Sequence, residues 1–282
     1  MKLRSLALSI FAFALAFASQ AAAERIISLA GEVTEIVYAL DAQDQLVAVD
    51  ATSVYPAAAN DLPNVGYYGR LSAEALMAFE PTLVIANNQA GPPEVLAQLE
   101  AAGVRVVHVG DEPSLETPAA NVRLVAELVG AQAKGEEVAE AMSAKLAAAA
   151  ARGAELDPKP RVLFLYLGAR SMQFAGGTNT ASNVLIEVAG AIDVGAELGF
   201  SGYAPFTPEA IAAAAPDALI VTDRGIAALG SEDAVFEIPG ISDTPAAAGK
   251  HLKVFEDLYF LGLGLRTGDA LTELVDYLYS LQ

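Results

Sequence analysis

The chain contains no cysteine and no tryptophan, and only two histidines, His108 and His251. Without cysteine there is no disulfide framework, no thiolate metal site and no lipid anchor on a cysteine. Two distant histidines do not by themselves make a zinc or manganese site, and no nucleophile presents itself beside either. His108 lies inside an apolar run and reads as a core or strand-end residue, whereas His251, in the polar turn Gly249-Lys-His-Leu-Lys253, reads as exposed. P-loop, GxGxxG and GxSxG signatures are missing, and Gly262-Leu-Gly264 is too short to stand for any of them. Positive charge is scarce as well. Sixteen Lys and Arg face 35 Asp and Glu, for a net charge of −19 at pH 7. Such a surface repels nucleic acid and anionic lipid, and suits a freely diffusing protein that meets a positively charged docking surface.

The chain opens with what reads as a secretory signal. Lys2 and Arg4 precede an apolar run from Leu6 to Ala18, and Ala21-Ala22-Ala23 fits a small-residue cleavage site. The run is short for a membrane span, and no later apolar stretch reaches about 18 residues. The expectation is export and cleavage of residues 1–23, with a mature chain starting at Glu24 and net charge near −21 once Lys2 and Arg4 are removed from the −19 total.

The rest alternates strands and helices. Strands are expected over 25–29, 46–49, 82–86 and 104–109, and helices over 34–40, 72–79 and 93–102, with Ser72 as an N-cap and Gly103 as a stop. Short apolar strands alternating with helices argue for parallel sheets covered on both faces. A helix from Thr117 to about Gly130 follows. A long one near 133–152, carrying Val138, Met142 and Leu146 on one stripe and ended by Gly153, then forms a spacer. The second half echoes the first. Arg161-Val-Leu-Phe-Leu165 repeats Arg25-Ile-Ile-Ser-Leu29, and Phe206 to Pro216 repeats Leu71 to Pro81, each Pro leading into a strand (82–86, 218–221). The offset is 135 or 136 residues throughout. The fold expected is therefore α/β, with two similar lobes on parallel-type sheets joined by one long spacer helix. The N-terminal lobe is 24–130, the interdomain helix 131–157 and the C-terminal lobe 158–282. Ligands bind in such inter-lobe clefts, outside the carboxyl ends of the strands.

The least ordinary segment is Leu62-Pro-Asn-Val-Gly-Tyr-Tyr-Gly-Arg-Leu-Ser72, a loop by its Pro and Gly content. It sets Tyr67, Tyr68 and Arg70 just before a helix. Tyr ligates ferric iron as phenolate and stacks on flat ring systems, but ordinary loop aromatics packing on the lobe would look the same. Glu74 and Glu209 hold equivalent places in the two repeats, two residues past Ser72 and Thr207. There a carboxylate either offsets the helix dipole or serves as a contact point.

These stretches carry a resemblance. Arg25-Ile-Ile-Ser-Leu-Ala-Gly-Glu-Val-Thr-Glu-Ile-Val-Tyr-Ala-Leu40, Asp50-Ala-Thr-Ser-Val-Tyr-Pro56, Leu62 to Ser72, Ala90-Gly-Pro-Pro-Glu94, Thr222-Asp-Arg-Gly-Ile-Ala-Ala-Leu-Gly230 and Phe260-Leu-Gly-Leu-Gly-Leu-Arg-Thr267 resemble the periplasmic haem-binding proteins of bacterial haem ABC importers. These belong to the class III (cluster A) solute-binding superfamily, with its cobalamin and siderophore binders. The resemblance implies a monomeric, non-enzymatic periplasmic protein that hands haem to an ABC permease. It implies Tyr67 as the axial haem-iron ligand, and Arg224 approaching it from the other lobe. A guanidinium near a phenol favours the phenolate that binds Fe(III). It also implies that Glu74 and Glu209 dock on the two permease subunits. The sequence departs from the family at Tyr67-Tyr68-Gly69-Arg70, where Tyr-Met-Arg is common, so Arg70 is displaced by one residue and Tyr68 is an added aromatic. Ala175-Gly-Gly-Thr-Asn-Thr180 has no His where some relatives hold a second haem, so one haem per chain is expected. A ferric siderophore or a corrinoid on the same fold is the alternative ligand, and an exported enzyme on that fold the alternative class.

Overall fold

The computed structural model describes residues 24–110, 112–168 and 172–282. The segment 1–23, expected from the sequence to be a secretory signal, lies outside the described residues. The N-terminal lobe alternates β1 (Ile26–Leu29), α1 (Gly31–Ala39), β2 (Leu46–Val49), α2 (Ala73–Met77), β3 (Leu83–Asn87), α3 (Pro93–Ala101), β4 (Arg105–Val109) and α4 (Thr117–Val129). The long α5 (Gln132–Gly153) follows. The C-terminal lobe holds β5 (Arg161–Gly168), β6 (Met172–Gly176), α6 (Ala181–Val188), β7 (Ile192–Asp193), α7 (Val194–Glu197), β8 (Tyr203–Ala204), α8 (Pro208–Ala214), β9 (Ala218–Thr222) and α9 (Asp223–Leu229). It closes with α10 (Asp233–Phe236), α11 (Pro245–Gly249), β10 (Leu252–Phe255), α12 (Asp257–Leu261) and α13 (Thr267–Tyr279).

The first sheet is parallel, in the order β2-β1-β3-β4. The second is parallel through β10-β9-β5, and β7 also pairs with β5 in parallel. Its other side is antiparallel, because β6 turns back on β5 and β8 pairs with β6. Strand periodicity divides the core. Ile26, Leu83, Ile85, Val162, Phe164 and Ile220 face one continuous apolar core that runs under both lobes. Their neighbours Ile27, Leu29 and Val84 face an outer core of the first lobe, and Leu163, Leu165 and Leu219 one of the second. Both faces of each sheet are thus covered, as parallel strands require.

The helix α5 packs on α4 at one end and α13 at the other, burying Ala139, Met142, Leu146 and Ala149 in the shared core. As the sequence suggests, Gly153 ends this helix as its last residue, followed by the cap Ala154. It is glycine because the chain crosses there. A Cβ on Gly153 would sit 2.5 Å from the Ala189 carbonyl oxygen, and one on Gly190, at φ 85°, only 1.8 Å from that of Gly153. Beneath the cleft, Phe260 is fully buried and stacks on Phe255 (centroids 4.5 Å, 11°) and Phe164 (5.8 Å, 23°). Burying one such ring contributes about 1.5–3 kcal/mol.

The duplication is visible in hydrogen bonds. Ser72 and Thr207 cap α2 and α8 by accepting from Ala75 N–H and Ala210 N–H. At the other ends of these helices, Arg25 donates to the Phe79 and Glu80 carbonyls, and Arg161 donates twice to the Ala214 carbonyl. The helix expected over 72–79 is shorter for this reason. Glu80 swings to φ 48° and its carbonyl is taken by Arg25 instead of continuing the helix.

Candidate functional site: a tyrosine-lined cleft between the lobes

The carboxyl ends of the parallel strands from both sheets open on one cleft of about 610 Å³, within the range of small-molecule sites. From the first lobe come Glu32 after β1, Thr52 after β2, the amides Asn87, Asn88 and Gln89 at the end of β3, and the pair Tyr67 and Tyr68. From the second come Tyr166 on β5, Phe174 on β6, Tyr203 on β8, Arg224 at the start of α9 and Asp257 at the start of α12.

The Tyr loop is held by backbone contacts. Gly66 takes φ 87°, Ala51 N–H donates to its carbonyl, and Arg70 N–H closes a turn on the Tyr67 carbonyl. The two rings lie 4.3 Å apart, tilted by 36°. Tyr67 is 49% exposed. Tyr68 is more withdrawn, donates to the Gln89 side-chain oxygen at 3.2 Å, and packs on the outer core of its lobe. Burial, with Tyr67 adding to it, pushes the Tyr68 phenol well above its ordinary range. Opposite, Tyr166 and Tyr203 stand 5.2 Å apart. Burial raises both, and Asp257 adds to the rise, while Arg224 opposes it at Tyr166.

Arg224 is placed by the first turn of α9. Thr222 caps that helix by accepting from Gly225 N–H, and Asp223 accepts from both Arg224 N–H and Asp257 N–H. The Arg224 guanidinium Nε lies 3.7 Å from Asp257, and the side chain is about half exposed at the cleft. The structure therefore brings Tyr67, Tyr68 and Arg224 together. Arg70 is exposed and is not among the lining residues. Glu74 and Glu209 are exposed on the first turns of α2 and α8, each outside the cleft. His108 is exposed on the edge strand β4 rather than in a core. His251 is partly buried, not exposed, with Nδ1 2.9 Å from the Asp217 carbonyl.

Among the cleft residues without a stated role in the sequence are Glu32, Tyr166, Phe174, Tyr203, Asp257 and the Asn87–Gln89 amides. Tyr166 carries a signal in retrospect. It continues the inward alternation Val162, Phe164, Tyr166 to the carboxyl end of β5 and puts a polar tip there. Tyr203 sits on a two-residue strand and carries none.

A family model described as "Periplasmic binding protein" matches residues 26–257. The chain belongs to that family. It is similar to the solved periplasmic heme-binding protein RhuT from Roseiflexus sp. RS-1 in apo form, at 43% identity over 92% of this chain and 99% of that one, with a TM-score of 0.89. It is 26% identical to YvrC of Bacillus subtilis, an ABC transporter substrate-binding lipoprotein, over 83% of this chain and 72% of that protein. It is 34% identical to a vitamin B12-binding protein of Vibrio parahaemolyticus, over just under half of each (46%). Family and fold together make this periplasmic-binding-protein chain a substrate-binding protein.

Proposed function

We propose that this protein is an exported periplasmic haem-binding protein that delivers haem to an ABC importer, with the iron held by the Tyr67 phenolate. The observation that carries the reading is the cleft itself. A half-exposed Tyr67 stands across from Arg224, and the other cleft tyrosines are held as neutral phenols by burial. Ferric iron takes the accessible phenol, and Arg224, leaving its long contact with Asp257, offsets the phenolate's charge. Tyr68, Tyr166 and Tyr203 offer faces on which a flat ring system stacks. The likeness to RhuT, over nearly the whole chain, supports haem as the cargo.

On this reading 24–130 and 158–282 are the lobes, 131–157 is the spacer, one haem is bound per monomer, and Arg70 acts at the rim of the site. Glu74 and Glu209, exposed and equivalent in the repeat, are the two contact points for a dimeric permease. The test is a titration of the purified protein with ferric haem. Saturation at one haem per chain with a phenolate–iron absorption signature is expected, and Tyr67→Phe should lose the signature and about 100-fold in affinity, equivalent to about 3 kcal/mol. Tight binding that survives the substitution would move the ligand elsewhere. Replacing both Glu74 and Glu209 by Ala should spare haem binding and stop transport in reconstituted vesicles. A corrinoid is the second reading, favoured by the vitamin B12-binding relative; saturable cobalamin binding indifferent to Tyr67→Phe would establish it.

A further inference from the structure

Glu32 lies in the first turn of α1 and lines the cleft. It is packed from the second lobe, because a Cβ on Gly264 would come 3.1 Å from its own Cβ. No Lys or Arg among the described residues pairs with it. Arg266 is engaged by Glu35, one turn further along α1 (Nε to Oε1 3.0 Å), and by Glu256 (3.1 Å). Arg224 leans on Asp257. The titratable groups that act on Glu32 or respond to it are acids and a phenol: Glu35 on its own helix, Asp50 after β2 and Tyr68 from the loop before α2. Asp257 lines the same cleft from the segment opposite. Asp50 is itself tied to Thr52 and Ser53. A ligand-lining carboxyl in such company either stays neutral or repels any anion brought to it.

We propose that Glu32 is a specificity residue for a ligand carboxylate: neutral, it donates a hydrogen bond to that group, and ionised, it expels it. The inference rests on the haem reading, since haem carries two propionate carboxylates. Above neutral pH, one proton is taken up at Glu32 as the ligand enters and is released as it leaves. Burial first, with Asp50 and Glu35 adding to it and the Glu32 backbone N–H opposing, lifts this carboxyl to about 7, which places the exchange near neutrality.

The experiment compares ferric haem with its dimethyl ester, in which both carboxylates are masked, from pH 6 to pH 8.5, on the wild-type protein and Glu32→Gln. Taking the ratio of the two affinities cancels the pH dependence of iron ligation by Tyr67. In the wild type the preference for haem over the ester should fall about tenfold for each pH unit above 7, following the loss of the neutral carboxyl. In Glu32→Gln, which keeps a hydrogen-bond donor at every pH, the ratio should be flat. A wild-type ratio that does not change with pH, or a Glu32→Gln ratio that falls just as steeply, overturns the proposal while leaving the haem reading intact. If neither porphyrin saturates the wild type at any pH, the haem reading fails and this inference fails with it.

Discussion

The two lobes are copies in sequence but furnish the cleft in different ways. The first lobe, on four parallel strands, offers its aromatics from a loop: Tyr67 and Tyr68 stand on the turn closed by Arg70 N–H. The second offers them from strands, with Tyr166 on β5, Phe174 on β6 and Tyr203 on β8, the last two in the antiparallel extension that the first sheet lacks. Strand-borne side chains are fixed by the ladder, and loop-borne ones can shift without disturbing a sheet. One wall is therefore a fixed platform and the other an adjustable hand. The lobe that supplies the proposed iron ligand is the one able to adapt.

That comparison can be broken most forcefully at the floor, where the lobes stop being separate. Phe260→Ala removes the ring shared by Phe255 and Phe164 and should cost about 3–5 kcal/mol. Calorimetry should show one transition moving as a whole; a second transition left in place would mean that the lobes are independent bodies. Next comes Arg266→Ala, which leaves Glu35, only 4% exposed, without its partner. The expected loss is about 3 kcal/mol at pH 7.5. Burial already raises Glu35 above the usual carboxylate range against the pull of Arg266. Without Arg266 it rises further, so the folded protein holds that proton where the unfolded chain has released it. The loss should therefore be largest above the raised value and shrink as acid protonates Glu35, which urea melts at pH 4.5 and 7.5 would read. The smallest effect sharpens the likeness of the repeats. Ser72→Ala and Thr207→Ala each remove one N-cap bond and should each cost about 1 kcal/mol. Unequal losses in chemical denaturation would show that the copies have diverged at these helices too.

Much of this was legible in the residues. Apolar runs such as Leu83–Asn87 and Ala218–Thr222 mark buried parallel strands by composition alone, and the constant offset of the repeats foretells two lobes and a cleft. The tyrosine loop stands out because its Pro, Gly and Tyr content is local, whereas Arg224 comes only from the resemblance and has no local signal of its own. What escaped was set by distant partners. Met172–Gly176 has no strong strand pattern and becomes a strand only because β5 is there to pair with it. Glu32 reads as an ordinary first-turn acid until the chain near Gly264 closes over it. Gly153 does end α5, but the close crossing of the chain at Gly190, which requires glycine there, is not written in the local sequence.

The continuous core beneath both lobes ties the two halves into one unit. Val122, Met142, Phe164, Phe260 and Leu274 share one apolar interior, so cutting the chain between α4 and α5 would bare a hydrophobic face on each half. Neither half, cut there, would keep a surface that water tolerates. Exchange of one lobe between relatives should fail to give a soluble protein unless α5 and the residues it covers travel with it.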